Sequence, residues 1–197
     1  MIQRAGGHRP GARRTRAALA MTVVLLAVVG LAAPASGARS DYYLAAGSGT
    51  NVFSLRLAGS MNSTWRGFLR DGVSAWNGTY SSTGTVISIT SGSTNKSVRL
   101  GSLPSGMIGR YQYGGSRSDR TFVVTVDAEK IADAPNRISS IGSWARFTTM
   151  HELGHALSLK DNPDTSSSTV MDYKPMSWTG VYSAPRAYDR SAVASIY

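Results

Sequence analysis

Two histidines that lie one helical turn apart, with a glutamate beside the first, are the residues most able to do chemistry. Residues 151–155 read His-Glu-Leu-Gly-His, and no other histidine follows residue 38. On an α-helix, positions i and i+4 share one face, so His151 and His155 can bind a single metal ion. Glu152 lies about 100° around the helix from His151, close enough to orient a water on that ion. The pattern predicts a catalytic zinc site.

A catalytic zinc site needs a third protein ligand and an open position for water. Asp161 is the first candidate downstream of the two histidines. No glutamate follows Glu152 in the chain, which excludes a third ligand of the glutamate type. The flanking residues Met150, Leu153 and Leu157 form an apolar stripe at helical spacing. We therefore expect the ligands to lie on a helix that is packed from behind.

Residues 151–161, together with Val170-Met171-Asp172-Tyr173, resemble the metzincin metallopeptidases. The metzincin pattern is His-Glu-x-x-His-x-x-Gly-x-x-His or Asp, followed by a Met-turn. This resemblance implies that Asp161 is the third ligand, as in the snapalysin-like branch, and that Met171 lies beneath the metal. Tyr173 matches the tyrosine that astacins and serralysins place beside zinc. It would be a transition-state hydrogen-bond donor or a distal ligand, and the alternative is an ordinary core aromatic.

One position departs from the metzincin pattern. The glycine that ends the helix and turns the chain back toward the metal is here Ser158. Glycine suits that turn because it adopts a positive φ without strain, whereas a left-handed serine costs about 1–2 kcal/mol. Metal binding can offset this cost, because binding free energy is also folding free energy. If the turn does not form, the competing third ligands are Asp164, Asp172 and Asp189.

The pattern and the resemblance together predict a zinc metalloendopeptidase. In this hypothesis His151, His155 and Asp161 hold Zn²⁺, and Glu152 takes a proton from the zinc-bound water that attacks a peptide carbonyl. Glu152 then passes the proton to the leaving amine. Two alternatives stay open: a secreted zinc-binding protein on an inactive peptidase scaffold, and a zinc amidase that acts on cell-wall material.

The N-terminal segment predicts export. Residues 1–38 carry five arginines ahead of an apolar run and small residues, which is typical of a secretory signal peptide, with cleavage after Ala35 or Ala38. The alternative is an uncleaved membrane anchor. We expect a secreted, extracellular protein without stable membrane association after cleavage. Because the chain has no cysteine, disulfides do not stabilise it.

Residues 39–197 carry 16 basic and 11 acidic side chains, a net charge of +5. The basic residues are scattered and do not alternate with aromatics, so we expect no nucleic-acid binding. The segment has the length of one domain, and we expect a single zinc metallopeptidase catalytic domain that is monomeric. Calcium is left open, because the acidic residues form no dense calcium-binding loop.

The element pattern predicts an α+β fold. Strands are expected at residues 51–58, 85–90, 97–103, 107–113 and 121–127, with the last one central because it is the most apolar. A long N-terminal helix starts after Asn62 or Ser63, the active-site helix starts near Ser143, and a short C-terminal helix is capped by Asp189. This order resembles the matrixin-type metzincin layout, a twisted mixed sheet of about five strands with these three helices.

The resemblance also predicts how a substrate binds. A peptide would add as a further strand to an exposed sheet edge at residues 107–114, where main-chain hydrogen bonds hold it. Residues 173–188 would line the pocket for the side chain just beyond the scissile bond. Their aromatic and methionine side chains favour an apolar or aromatic residue there.

Overall fold

The computed structural model describes residues 42–134, 139–172 and 181–197. The predicted signal segment, residues 1–38, and Tyr173 lie outside these described residues. No described helix is both long enough and apolar enough to cross a membrane. Along the chain the elements are β1 (Val52–Ala58), α1 (Ser63–Asn77), α2 (Tyr80–Thr83), β2 (Val86–Ile89), β3 (Lys96–Leu100), β4 (Gly109–Gly114), β5 (Thr121–Val126), α3 (Ala128–Asp133), α4 (Ile141–Ala156) and α5 (Ala187–Ile196).

The five strands form one mixed sheet in the order β2-β1-β3-β5-β4. All neighbours run parallel except β4, which is antiparallel to β5 and forms one edge. The α+β class and the five-stranded mixed sheet are therefore confirmed. The prediction that residues 121–127 form the central strand is wrong, since β3 is central and β5 lies next to the edge strand. β5 is apolar because it is an interior strand and packs against α4.

The core lies between the sheet and the two long helices. β1 alternates exposed and buried residues, with Phe53, Leu55 and Leu57 turned inward, because successive strand residues point to opposite faces. α1 packs against α4. The two helices approach closely at Gly72, where an added Cβ would lie 2.5 Å from the Thr149 Cβ. This close contact fixes the helix that carries the two histidines.

The starts of α4 and α5 differ from the sequence prediction. Of the two predicted caps, Asn62 and not Ser63 caps α1, since the Asn62 side chain accepts the Trp65 N–H. α4 begins at Ile141, two residues earlier than predicted, because Ser140 supplies the capping oxygen. α5 begins at Ala187, and Asp189 lies inside its first turn, where the carboxylate accepts the Arg186 N–H. Asp189 is therefore not the N-cap residue, but its side chain accepts the backbone N–H of the N-cap residue Arg186 from within the first turn.

Other boundaries moved for local reasons. β3 ends at Leu100 and β4 starts at Gly109, so the predicted strands 97–103 and 107–113 are each displaced by a connecting turn. The short helices α2 and α3 were not predicted. α3 is capped by Asp127, whose side chain accepts the Lys130 N–H, although in the sequence the same residue ends a predicted strand.

Candidate metal centre

The last two turns of α4 carry His151, Glu152 and His155, all buried. The centroids of the two imidazole rings are 5.1 Å apart, and the ring planes are nearly perpendicular. The His151 Nδ1 lies 2.9 Å from the Val170 carbonyl, and the His155 Nδ1 lies 2.9 Å from the Leu159 carbonyl. A carbonyl accepts only from an N–H, so each Nδ1 is protonated. The Nε2 atoms are then left as the metal-binding atoms.

Asp161 meets both Nε2 atoms. Its Oδ1 lies 3.0 Å from the His151 Nε2 and 3.2 Å from the His155 Nε2. One ligand atom from each of the three residues falls within 4.8 Å of the other two, so the group could hold a metal ion. It is the single group of this kind in the described part of the chain. The predicted ligand set is therefore brought together.

The competing aspartates do not join this group. Asp189 is fully buried elsewhere, where its carboxylate accepts hydrogen bonds from Tyr42 Oη, Thr169 Oγ1 and the Val170 N–H. The last contact matters for the site, because Val170 also supplies the carbonyl that orients His151. Sequence analysis missed this supporting role, since nothing local in the sequence links residue 189 to residue 151.

The turn from His155 to Asp161 forms despite the missing glycine. Ser158 has φ of 67°, the left-handed conformation that the pattern requires, at an expected cost of about 1–2 kcal/mol. The Leu157 N–H donates to the Leu153 carbonyl, and the Ser158 N–H donates to the His155 carbonyl, which ends the helix. Asn162, φ 43°, makes a second left-handed turn directly after Asp161. The departure at residue 158 is thus accommodated.

Met171 lies against the back of the histidine helix. It is fully buried, and a Cβ added at Gly154 would lie 2.4 Å from its sulfur. The Asn162 N–H donates to the Met171 carbonyl at 2.9 Å, so this hydrogen bond also holds the segment after Asp161 beside Met171. Gly154, an unassigned position within the His-Glu-Leu-Gly-His pattern, is needed here because any side chain would displace the methionine.

The charges in the site are strongly coupled. Burial opposes the ionisation of Asp161, but when no ion separates the groups, hydrogen bonds from the two imidazoles to its carboxylate hold the pKa of Asp161 well below its usual range. For His151, burial lowers the pKa, but the hydrogen bond to Asp161 and the nearby charge of Glu152 raise it to about 9. A metal ion would therefore replace a proton on His151.

Glu152 lies between the helix and strand β4. Burial, with the charge of Asp161 adding to it, raises the pKa of the Glu152 carboxyl, and the two histidines and the backbone N–H of Tyr111 oppose that shift. A Cβ added at Gly109 would lie 2.4 Å from the Glu152 Oε1. Glycine at position 109 therefore makes room for the carboxylate against the strand, which the sequence did not reveal.

A cleft of about 610 Å³ opens in front of these residues. Its walls are the edge strand β4 with the residues before it, the histidine helix, and residues 44 and 46. The lining is mainly apolar, and His151, Glu152, His155 and Asp161 are among its polar residues. The predicted wall residues 173–180 lie outside the described residues.

The partly exposed side chain of Lys130 holds the loop before β4. Lys130 donates to the carbonyls of Leu103, Pro104 and Met107, and it pairs with the Asp127 carboxylate at 3.3 Å. Three carbonyls and a carboxylate around one positive charge are the kind of arrangement that elsewhere binds a cation. In this loop the lysine itself provides the charge.

No protein-family profile matches the sequence, and no curated protein sequence matches it. The fold is similar to a chain in the solved structure described as the GM1 bound form of the ECX AB5 holotoxin. The TM-score is 0.51 at 13% sequence identity, and the match covers 79% of this chain and 84% of that one. At this identity the likeness concerns the fold alone.

Proposed function

We propose that the chain is a secreted zinc-dependent endopeptidase with a metzincin-like catalytic domain. The observation that carries this proposal is the convergence of His151, His155 and Asp161 at one point, with Glu152 beside them and an open cleft in front. Three ligands with a neighbouring carboxylate are what hydrolysis requires, because one position is left for water. A site that only stored metal would have no use for Glu152.

The donor set fits zinc. Two neutral imidazoles and a carboxylate are ligands that zinc accepts, and each imidazole is oriented by a carbonyl on its other nitrogen. In a tetrahedral site with bonds of about 2.0–2.1 Å, ligand atoms lie about 3.3 Å apart. The 3.0 and 3.2 Å separations from Asp161 to the two histidines are close to that value. A zinc ion held here would acidify a water molecule and polarise a substrate carbonyl.

Glu152 is suited to move the proton. Its carboxylate is buried at the wall of the cleft, and its raised pKa brings it closer to the range in which a general base works at neutral pH. In the proposed reaction Glu152 accepts a proton from the attacking water. It returns that proton to the amine nitrogen as the peptide bond breaks, so the products are a carboxylic acid, which keeps the second water proton, and an amine.

Strand β4 is suited to bind the substrate. It has a strand neighbour on one side only among the described strands, and four of its residues line the cleft: Gly109, Arg110, Tyr111 and Tyr113. An extended peptide can add to such an edge through main-chain hydrogen bonds, which do not depend on its sequence. This arrangement favours a protein or peptide substrate over a small molecule.

The test is casein hydrolysis and zinc content, measured on the same purified samples. Glu152→Gln is expected to retain one zinc and to lose activity by 10²-fold or more, on the order of the contribution of a general base. Glu129→Gln is the matched control, because Glu129 is the only other glutamate and is exposed. Asp161→Asn is expected to lose zinc and activity, and Asp164→Asn, on an exposed residue, is expected to lose neither.

Each other outcome points to a different function. Zinc binding without hydrolysis of casein, but with hydrolysis of purified peptidoglycan, would replace the endopeptidase with a cell-wall amidase. Zinc binding without either activity would indicate a metal-binding protein on an inactive scaffold. Full activity in Glu152→Gln would remove the proposed mechanism.

A further inference from the structure

The turn that delivers Asp161 to the metal site contains a buried, strained serine. Ser158 is fully buried and has a left-handed backbone. His155 depends on the same turn, because its Nδ1 is oriented by the carbonyl of Leu159. The conformation of one residue therefore affects two of the three ligands.

The Ser158 side chain is held by an arginine from a distant loop. Arg117, between β4 and β5, donates from Nη1 to the Ser158 Oγ at 2.6 Å. The guanidinium carbon lies over two aromatic rings, 5.2 Å from the centroid of Tyr43 and 5.6 Å from the centroid of Tyr197. The Tyr197 hydroxyl lies 3.1 Å from the same Oγ. These ring contacts fix the guanidinium in place, so it is a preorganised donor.

The Ser158 backbone is fixed by residues 44–49, a segment that the Arg117 loop also supports. The Leu44 N–H donates to the Ser158 carbonyl at 2.7 Å, and Gly47 packs so closely that an added Cβ would lie 2.5 Å from the Ser158 Cα. The Gly49 N–H in turn donates to the Arg117 carbonyl at 2.7 Å. Arg117 thus contacts Ser158 directly and also supports the segment that covers it.

We infer that Arg117 is a positioning residue for the metal site: it holds Ser158 in the left-handed conformation from which Asp161 reaches the metal. The inference rests on the metal site of the proposed function. Its physical reason is that the bond from the charged guanidinium, at 2.6 Å, is the shortest and strongest contact of the buried Ser158 Oγ. When Arg117 is lost, the Oγ keeps only the Tyr197 hydroxyl at 3.1 Å and the Ser48 carbonyl at 3.5 Å. Without Arg117, the serine has less to offset its unfavourable backbone conformation, and the turn relaxes. A glycine at position 158 has neither the hydroxyl nor the strain, so it would not need the arginine.

The test is a double-mutant cycle read out as zinc affinity, by competition with a chromogenic chelator. The four proteins are the full chain, Arg117→Met, Ser158→Gly and the double variant. Arg117→Met is expected to weaken zinc binding about tenfold, which corresponds to about 1.4 kcal/mol. Ser158→Gly is expected to leave the affinity within about twofold, and the double variant to match Ser158→Gly, because strongly coupled residues are non-additive.

Two further variants serve as a control and as an independent test. Arg70→Met removes an exposed arginine from α1 and is expected to leave zinc affinity unchanged, which controls for the loss of charge. Tyr197→Phe keeps the ring under Arg117 but removes the hydroxyl that contacts Ser158. It is expected to weaken zinc binding about threefold in the serine background and not in the glycine background. This cycle decides the question if Arg117→Met does not fold.

The outcomes separate this inference from the proposed function. Equal losses of zinc affinity in the serine and glycine backgrounds, with casein cleavage intact in the full chain, would overturn the role of Arg117 alone. Coupling in zinc affinity without any peptidase activity would support the role of Arg117 and contradict the proposed function. A full chain that binds no zinc would overturn both.

Discussion

The two edges of the sheet differ in how their main-chain groups are used. At the β2 edge, the Asn77 side chain donates to the Ile87 carbonyl at 2.9 Å and accepts the Ile87 N–H at 2.7 Å. At the β4 edge, the neighbouring side chain is the carboxylate of Glu152, beside the backbone N–H of Tyr111 and an open cleft. Side-chain hydrogen bonds thus occupy the β2 edge at Ile87, whereas the β4 edge faces the cleft that holds Glu152.

The comparison predicts that the same kind of change has different effects at the two edges. Variants at the β4 edge should change activity with little effect on folding, and variants at the β2 edge should change folding with little effect on activity.

Gly109→Ala is expected to reduce kcat/KM on a peptide substrate about 10²-fold, on the order of a displaced general base. The added methyl group would lie 2.4 Å from the Glu152 Oε1, so the carboxylate must move away. Zinc content should stay at one per chain. Gly114→Ala, in the same strand, is the control because its Cβ would meet only the Thr121 Oγ1 at 3.1 Å. Unchanged activity in Gly109→Ala would show that Glu152 does not need its observed position.

Asn77→Ala is expected to lower the free energy of unfolding by about 1–3 kcal/mol, because it leaves two main-chain groups of Ile87 without their side-chain partner. The specific activity of the folded protein should not change. Urea denaturation followed by circular dichroism measures the first quantity, and a peptidase assay the second. A loss of activity larger than the loss of folded protein would contradict the separation of the two edges.

The zinc-free protein is expected to lose stability as the pH rises from 7 to 10. The pKa of His151 is raised from 6.5 to about 9, so the stabilisation from its ion pair is complete below pH 6.5 and is lost as the pH passes about 9. The lowered pKa of Asp161 acts in the opposite direction, with stabilisation lost only in acid. Thermal melts at several pH values measure this.

Asp161→Asn is the control for that pH dependence, because it removes the charge that raises the pKa of His151. The alkaline part of the stability loss should shrink in this variant. An unchanged slope between pH 7 and pH 10 would mean that other groups, and not the His151–Asp161 pair, dominate the pH dependence.

Lys130→Met is expected to raise KM about threefold and to leave kcat and zinc content unchanged. Its ammonium group holds the carbonyls of the loop that leads into β4, so its loss should loosen the substrate-binding edge without reaching the metal site. The charge-matched control is Lys96→Met on β3. An effect on kcat of the same size as that on KM would place Lys130 in the chemistry and not in the loop.

Local signals predict the three longest helices and the closeness of the three candidate metal ligands. Asn62, one of the two predicted caps, caps α1. Helical spacing predicts that His151 and His155 share a face, and the metzincin resemblance implies the Asp161 that the structure brings beside them. The left-handed backbone of Ser158 was also expected from the position of the missing glycine. These features depend on residues close together in sequence, where helix geometry and turn preferences decide the outcome.

The features that could not be predicted depend on long-range packing. The need for glycine at position 109 comes from a side chain 43 positions later, and Arg117 reaches Ser158 across the fold. β5 lies next to the edge strand β4, although its apolar sequence would suit the central position of the sheet equally well. Such relations follow from tertiary contacts, which neither periodicity nor capping residues encode.

The most direct test of the central claim is zinc-dependent peptide hydrolysis by the unmodified chain. Zinc would be removed with a chelator and then returned at one equivalent, while casein cleavage and bound zinc are measured together. The account predicts that cleavage disappears with the metal and returns when about one zinc per chain is bound. Cleavage that continues after the zinc has been removed would contradict it.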